Sequence, residues 1–328
     1  MAVPAFDGDY IDVHTDLCAL QGRLLTPDMH ILECFSRLGI PSNLKGCISS
    51  FDILSESFSQ PSAQEILSGT NIWGAVGVSA KSGTALSVSN PFADVMSTLK
   101  SSVKNLCQDR IVAIGVVDLD YSLDGATYPP ERQKCVFLGQ LMVALDHNLP
   151  VIVSCDQLAE DDFAELLTSE VGLQLTVCML NCQCSPEKVL RIVSMRQAGT
   201  TFVGFCGNVT YSKAKHLHDL AFDTPLELIL LATSSPLFVP AQVGGGRQDI
   251  SHPGHLYWVA EKISNEKHLS VEEVFSAVYE NVKRCFPKIF AGKENELPPP
   301  PPLGPSCIHD TSATKITTPN QNEGLEQG

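Results

Sequence analysis

The chain has 328 residues, 44% of them apolar, which is enough for one large buried core. Its 37 aspartates and glutamates outnumber 22 lysines and arginines, a net charge of −15. No dense basic cluster offsets that charge, so composition gives no support to gripping a phosphate backbone. No run approaches the roughly 18 apolar residues of a membrane span, and the short acidic start lacks a signal-peptide pattern, so neither membrane insertion nor secretion is expected.

Eight short β-branched apolar runs follow one another at wide spacing: 10–14, 46–51, 73–79, 111–119, 150–155, 173–180, 200–207 and 226–235. Such runs read as buried parallel strands, covered by helices outside and filled by side chains inside. Helices are predicted between them. Residues 129–147 open on Pro129-Pro130 and carry Val136, Phe137, Leu141, Val143, Ala144 and Leu145 further on. Residues 185–198 open on Ser185-Pro186-Glu187, a cap followed by proline at the first helical position, and stop before Gly199. After the eighth run, helices are predicted over 253–264 and 270–286; the second pairs Ser270 with Glu273 as a capping box.

Eight strand–helix units predict an α/β fold of the (β/α)8 TIM-barrel type over residues 1–291. No G-x-G-x-x-G follows the first strand, against a dinucleotide-binding fold. From 292 to 328 the character changes. Five consecutive prolines, Pro298 to Pro302, precede a polar run, which predicts a disordered tail with the prolines in polyproline II. A solvated tail is the plain reading; a docking site for an SH3, WW or profilin-like partner is the alternative. Of the twelve cysteines, Cys135, Cys155, Cys178 and Cys206 sit inside apolar runs. They read as reduced thiols of a cytoplasmic or nuclear protein.

Several segments carry a pattern. Ile11-Asp12-Val13-His14-Thr15-Asp16 ends the first run. Ile114-Gly115-Val116 lies in the fourth, followed by Glu131-Arg132-Gln133 at a helix start. Leu149-Pro150-Val151-Ile152-Val153 opens the fifth, Gly204-Phe205-Cys206-Gly207-Asn208 ends the seventh, and Leu230-Leu231-Ala232-Thr233-Ser234-Ser235-Pro236 spans the eighth. In this order they resemble the TatD family of metal-dependent hydrolases, over roughly residues 9–288. The resemblance implies a barrel whose C-terminal mouth holds divalent cations that polarise a phosphoryl group and generate hydroxide.

The same resemblance locates the ligands. His14 stands at the first position, and Asp16 replaces the second histidine of an H-x-H pair. Val116 stands where a glutamate is expected, Ser154 and Leu180 where histidines are, and Ser234 where an aspartate is. Ser79-Ala80-Lys81 replaces a His-Pro-His element, and Lys81 is expected to bring positive charge near the site. Only His14 and Asp16 remain as metal ligands, too few for a catalytic centre. Glu131 and Arg132 are the preserved polar pair, read as substrate contacts or as an ion pair bracing the rim.

Two functions follow as expectations. The first is a nuclease homologue without metal-dependent hydrolysis, a pseudoenzyme that binds and needs no cofactor. The second is a divergent deoxyribonuclease or exonuclease on DNA or RNA that uses Mg²⁺, Mn²⁺ or Zn²⁺ and recruits Asp16, Asp118, Asp120 or Cys155. Cys155, Cys182, Cys184 and Cys206 with His14 are weighed as a soft zinc site against plain packing, with packing preferred. His216 and His218 read as solvent-exposed, and His252 and His255 as packing at a helix end rather than overhanging the site. Gly244-Gly245-Gly246-Arg247 reads as a flexible loop as readily as a phosphate contact.

Overall fold

The computed structural model describes residues 4, 6, 8–24, 31–56, 58–86, 89–106, 108–123, 125, 128–244 and 249–291, leaving aside the side chain of residue 32. The proline run Pro298 to Pro302, the rest of 292–328, and Arg247 lie outside the described residues.

Eight strands, β1 (Tyr10–Thr15), β2 (Leu44–Asp52), β3 (Ile72–Gly77), β4 (Ile111–Leu119), β5 (Val151–Cys155), β6 (Val177–Leu180), β7 (Thr201–Phe205) and β8 (Ile229–Leu231), form one sheet, each paired in parallel with the next. Helices α1 (Leu17–Arg23), α2 (Ile31–Arg37), α3 (Gln60–Ser68), α4 (Pro91–Asn105), α5 (Pro130–Asp146), α6 (Glu160–Thr168), α7 (Pro186–Met195) and α8 (Lys215–Asp223) alternate with the strands, and α9 (Leu256–Lys267) and α10 (Val271–Cys285) follow. The ring closes where the chain beyond β8 meets the end of β1. There Ser234 N–H donates to His14 O at 2.9 Å, and Asp16 N–H donates to Ser235 O at 2.8 Å. This is the predicted (β/α)8 barrel.

Local chemistry explains most boundaries. The capping box forms as read from sequence: Glu273 N–H donates to Ser270 Oγ at 3.1 Å, and Ser270 N–H donates to Glu273 Oε2 at 2.8 Å. Ser185 departs from expectation. Pro186 does open α7, but the Ser185 hydroxyl does not cap it; its N–H and hydroxyl donate to Glu160 Oε2 at 2.9 and 3.2 Å. The sixth run, predicted from 173, becomes strand only at Val177. The buried Arg196 takes the carbonyls of Leu167, Gly172 and Leu175, and its Nε donates to Thr201 Oγ1 at 2.7 Å. Residues 172–174 form a tight turn, in which Leu175 N–H donates to Gly172 O at 3.1 Å, and Arg196 binds the carbonyls at its ends. The eighth run is strand over three residues only; before it lies the turn Leu226–Leu228, and beyond it Thr233 turns its N–H and hydroxyl to Asp12.

Two glutamines on one face of α5 fix the loops around the mouth. Gln140 accepts from Val78 N–H at 2.8 Å and donates to Val78 O at 2.9 Å, as a neighbouring peptide would. Two turns earlier, Gln133 accepts from Asp120 N–H at 2.8 Å and donates to the carbonyls of Asp120 and Tyr128. The loops after β3 and β4 are thereby held by side chains in place of a ladder.

Candidate functional site at the barrel mouth

At the C-terminal ends of the strands lies a cavity of about 290 Å³. All six positions picked out from sequence, His14, Asp16, Val116, Ser154, Leu180 and Ser234, line it, joined by Arg23, Ser50, Asn181, Leu237 and Phe238. The strand pleat explains the convergence, since residues two apart face the same side. Gly207 explains the Phe238 wall: a Cβ there would meet Phe238 O at 1.8 Å, so only glycine lets that segment fold over the end of β7.

The polar groups of the cavity are already engaged with one another. His14 Nδ1 lies 3.0 Å from Ser234 Oγ, and Cys206 Sγ lies 3.0 Å from the same oxygen. Burial pushes the His14 imidazole down to about 4, so the ring is neutral at pH 7. The Asp16 carboxylate accepts from Ala19 N–H at 2.8 Å and caps α1. Burial raises its pKa, against the pull of that N–H. Behind His14, the fully buried Asp12 accepts from Thr233 N–H at 2.9 Å and from the Thr233 hydroxyl. It also accepts from His14 N–H at 3.2 Å. Burial raises Asp12 to about 7 even so. Asp12 was not singled out from sequence, although its place two residues before His14 on one strand face was a readable signal. Arg23 and Asn181 owe their places to loop and helix geometry, which no spacing in the sequence conveys.

The sequence profile described as TatD related DNase matches residues 47–287. The chain belongs to this family. A Bacillus subtilis (strain 168) relative, the uncharacterized metal-dependent hydrolase YabD, is 30% identical over 178 residues, which is 54% of this chain and 66% of that protein. The human 3'-5' RNA nuclease TATDN2 is 27% identical over 289 residues, covering 86% of this chain and 36% of its own. This chain therefore spans little more than a third of the human relative's length. The crystal structure of the Escherichia coli TatD homologue YJJV superposes with TM-score 0.68 at 19% identity, covering 85% of this chain and 98% of that one, which establishes the likeness of fold.

A TatD-type metal centre does not fit the donors at this mouth. Val116 and Leu180 offer no lone pair, and Ser154 and Ser234 offer neutral hydroxyls. Among the described residues the mouth offers one imidazole, His14, with Nδ1 3.0 Å from Ser234 Oγ, and one imidazole with one carboxylate is too few ligands for a catalytic centre. The other carboxylates near the strand ends are committed: Asp118 accepts from Ala80 N–H at 2.7 Å, and both oxygens of Asp52 accept from the Ser82 hydroxyl at 2.6 Å. Asp120 accepts from Ser122 N–H at 3.0 Å. Among the described residues, no three His, Cys, Asp or Glu side chains are grouped so as to hold a metal ion.

The remaining candidates fall away from the cavity. Glu131 and Arg132 do not pair. Glu131 is 83% exposed and binds Lys134 at 2.9 Å. Arg132 donates to the carbonyls of Gly83, Thr84 and Leu86 and lies over the Tyr128 ring. Both are taken up at the rim, and neither lines the mouth. Lys81 is exposed and does not line it either. The thiols split: Cys206 sits beside Ser234, while Cys155 donates to Asp156 O at 3.0 Å and Cys182 lies 3.9 Å from the carbonyls of Val153 and Leu180. His216 and His218 are half-buried rather than exposed, because His218 Nε2 turns inward to Val209 O at 2.9 Å.

His252 and His255 stack with ring centroids 3.6 Å apart and do not overhang the cavity. Burial pushes His252 down to about 4, and burial with the neighbouring His252 ring pushes His255 down to about 3. Between those values and the ordinary 6.5, the native state binds fewer protons than the unfolded chain. The stability these rings contribute is therefore full above about pH 6.5 and is lost as pH falls through that window. Replacing His255 with glutamine is expected to flatten the loss of stability between pH 7 and pH 4. Urea titrations at both values check this; identical pH slopes for the two proteins would count against it.

Proposed function

We propose that the protein is a TatD-family barrel whose mouth works as a metal-free ligand pocket, with metal-dependent phosphodiester hydrolysis lost. The observation that carries this is the cavity lining. The four positions at which the family resemblance expects a glutamate, two histidines and an aspartate are Val116, Ser154, Leu180 and Ser234, and all four face the same space as His14 and Asp16. Two cations about 3.5–4 Å apart need anionic donors to offset their repulsion, and this mouth supplies one carboxylate. A reducing compartment, cytoplasm or nucleus, suits free thiols such as Cys155, Cys178, Cys206 and Cys285.

The rival is a divergent nuclease acting on DNA or RNA, favoured by relatives named as nucleases. One experiment separates the two. The full chain is loaded with Mg²⁺, Mn²⁺ or Zn²⁺, passed through a desalting column and assayed for bound metal and for cleavage of single-stranded DNA and RNA. The expected result is less than a tenth of an equivalent of metal and no cleavage above buffer. Stoichiometric metal, with cleavage that disappears in His14→Ala, would overturn the reading.

A further inference from the structure

Ser234 is held unlike any other hydroxyl at the mouth. Its backbone is in the left-handed region at φ 48°, which residues other than glycine, asparagine and aspartate seldom adopt. Two further non-glycine residues in that region, Asn181 and Phe238, line the same cavity. Backbone conformations of this kind are strained and persist where the surroundings impose them, most often around functional sites. Here the imposed geometry brings the Ser234 hydroxyl within 3.0 Å of both His14 Nδ1 and Cys206 Sγ.

The direction of the proton follows from the acceptors. Sulfur accepts weakly, whereas a neutral imidazole nitrogen accepts well. The consistent arrangement is therefore Cys206 S–H donating to Ser234 Oγ, and Ser234 O–H donating to His14 Nδ1. A hydroxyl that gives its hydrogen bond to an imidazole nitrogen, at the edge of a cavity, has the geometry of an activated nucleophile and its base.

We propose that Ser234 and His14 form a metal-independent nucleophile–base pair that hydrolyses small, uncharged carboxylic esters. The inference rests on the metal-free reading of the mouth. The apolar walls, Val116, Leu180, Leu237 and Phe238, suit a short acyl chain, and a cavity of about 290 Å³ suits a small ester. Among the described residues that line the mouth of this acidic chain, one arginine stands against one carboxylate, which favours a neutral substrate over a phosphodiester. Two donors stand ready for the oxyanion. The Ser154 and Asn181 side chains line the cavity, and Asn208 Nδ2 donates to Asn181 Oδ1 at 2.6 Å, which leaves the Asn181 amide group as the donor end.

The steps balance without a cofactor. Ser234 Oγ attacks the ester carbonyl carbon as its proton passes to His14 Nδ1. The C–O bond to the alcohol breaks, and the leaving oxygen takes that proton and departs as the alcohol. Water then attacks the acyl–Ser234 carbonyl and gives a proton to His14. The acid leaves, and the proton returns to Ser234.

The test uses the full chain in EDTA, with a fluorophosphonate probe and p-nitrophenyl acetate. The expected results are a stoichiometric probe adduct mapped by mass spectrometry to the peptide carrying Ser234, and ester turnover that falls at least 100-fold in Ser234→Ala. His14→Gln is expected to lose both. Because the adduct is mapped on the unaltered chain, a folding defect in a variant cannot imitate the result. No adduct at Ser234, turnover unchanged in Ser234→Ala, or labelling that requires a divalent metal would each overturn the pair. The metal and nuclease assay fails or succeeds separately, since it is read in the presence of the cations that EDTA removes here.

Discussion

Replacing Arg196 with alanine is expected to lower the unfolding free energy by about 4 kcal/mol. The guanidinium is 5% exposed and donates to the carbonyls of Leu167, Gly172 and Leu175 and to the Thr201 hydroxyl. Burial lowers its pKa only to about 10, so it is charged at pH 7. A hydrogen bond from a charged donor contributes roughly 1.5–3 kcal/mol, and a buried acceptor left without a partner costs about 1–3 kcal/mol. Four such bonds on one side chain are not additive, and water entering the vacated space satisfies part of the loss, which brings the total to about 4 kcal/mol. Arg196→Lys is expected to recover little, because one ammonium cannot span carbonyls drawn from three chain turns. Chemical denaturation of the three proteins checks this; an alanine variant within about 1 kcal/mol of the unaltered chain would remove Arg196 from the list of what holds β6 to its surroundings.

Arg196 also marks where reading the sequence stops. The barrel was legible because the strands are short apolar runs and several helices carry their own start signal, as at Pro130, Pro186 and the Ser270–Glu273 box. The start of β6 was not legible, because what ends the preceding turn is a guanidinium more than twenty residues further on. The same holds for the loops gripped by Gln133 and Gln140: a side-chain amide imitating a peptide leaves no periodic trace. At the mouth, strand register placed His14, Val116, Ser154, Leu180 and Ser234 on one cavity, and family resemblance supplied those positions. Their partners came from elsewhere. That Cys206 touches Ser234, that Asp12 is locked to Thr233, and that Arg132 serves carbonyls instead of Glu131 are all contacts between distant segments. Sequence spacing carries the direction a side chain faces; it does not carry which neighbour claims it first.

Restoring the four expected ligands together, Val116→Glu, Ser154→His, Leu180→His and Ser234→Asp, is expected to create a divalent-metal site, and on the proposed reading the unaltered chain binds none. Without metal the variant pays for two added carboxylates and two imidazoles in a partly enclosed cavity, and it is expected to be less stable than the unaltered chain by about 3–5 kcal/mol. Metal reverses this. At a thousandfold excess over its Kd, a ligand that binds only the folded state contributes about 4.1 kcal/mol. For a barrel of this size that corresponds to a rise in Tm of roughly 10 °C. The unaltered chain is expected to shift by less than about 1 °C under the same Mn²⁺ or Zn²⁺, because Val116 and Leu180 have nothing to donate. Differential scanning fluorimetry with and without metal reads both proteins. Equal shifts would mean that the natural mouth already binds the ion, and that its donors are ones other than the six positions facing the cavity. The quadruple variant also lacks the Ser234 hydroxyl, so it is expected to lose ester turnover while gaining metal. The two chemistries compete for one residue: at position 234 a carboxylate serves a cation, and a hydroxyl three ångströms from an imidazole serves proton transfer.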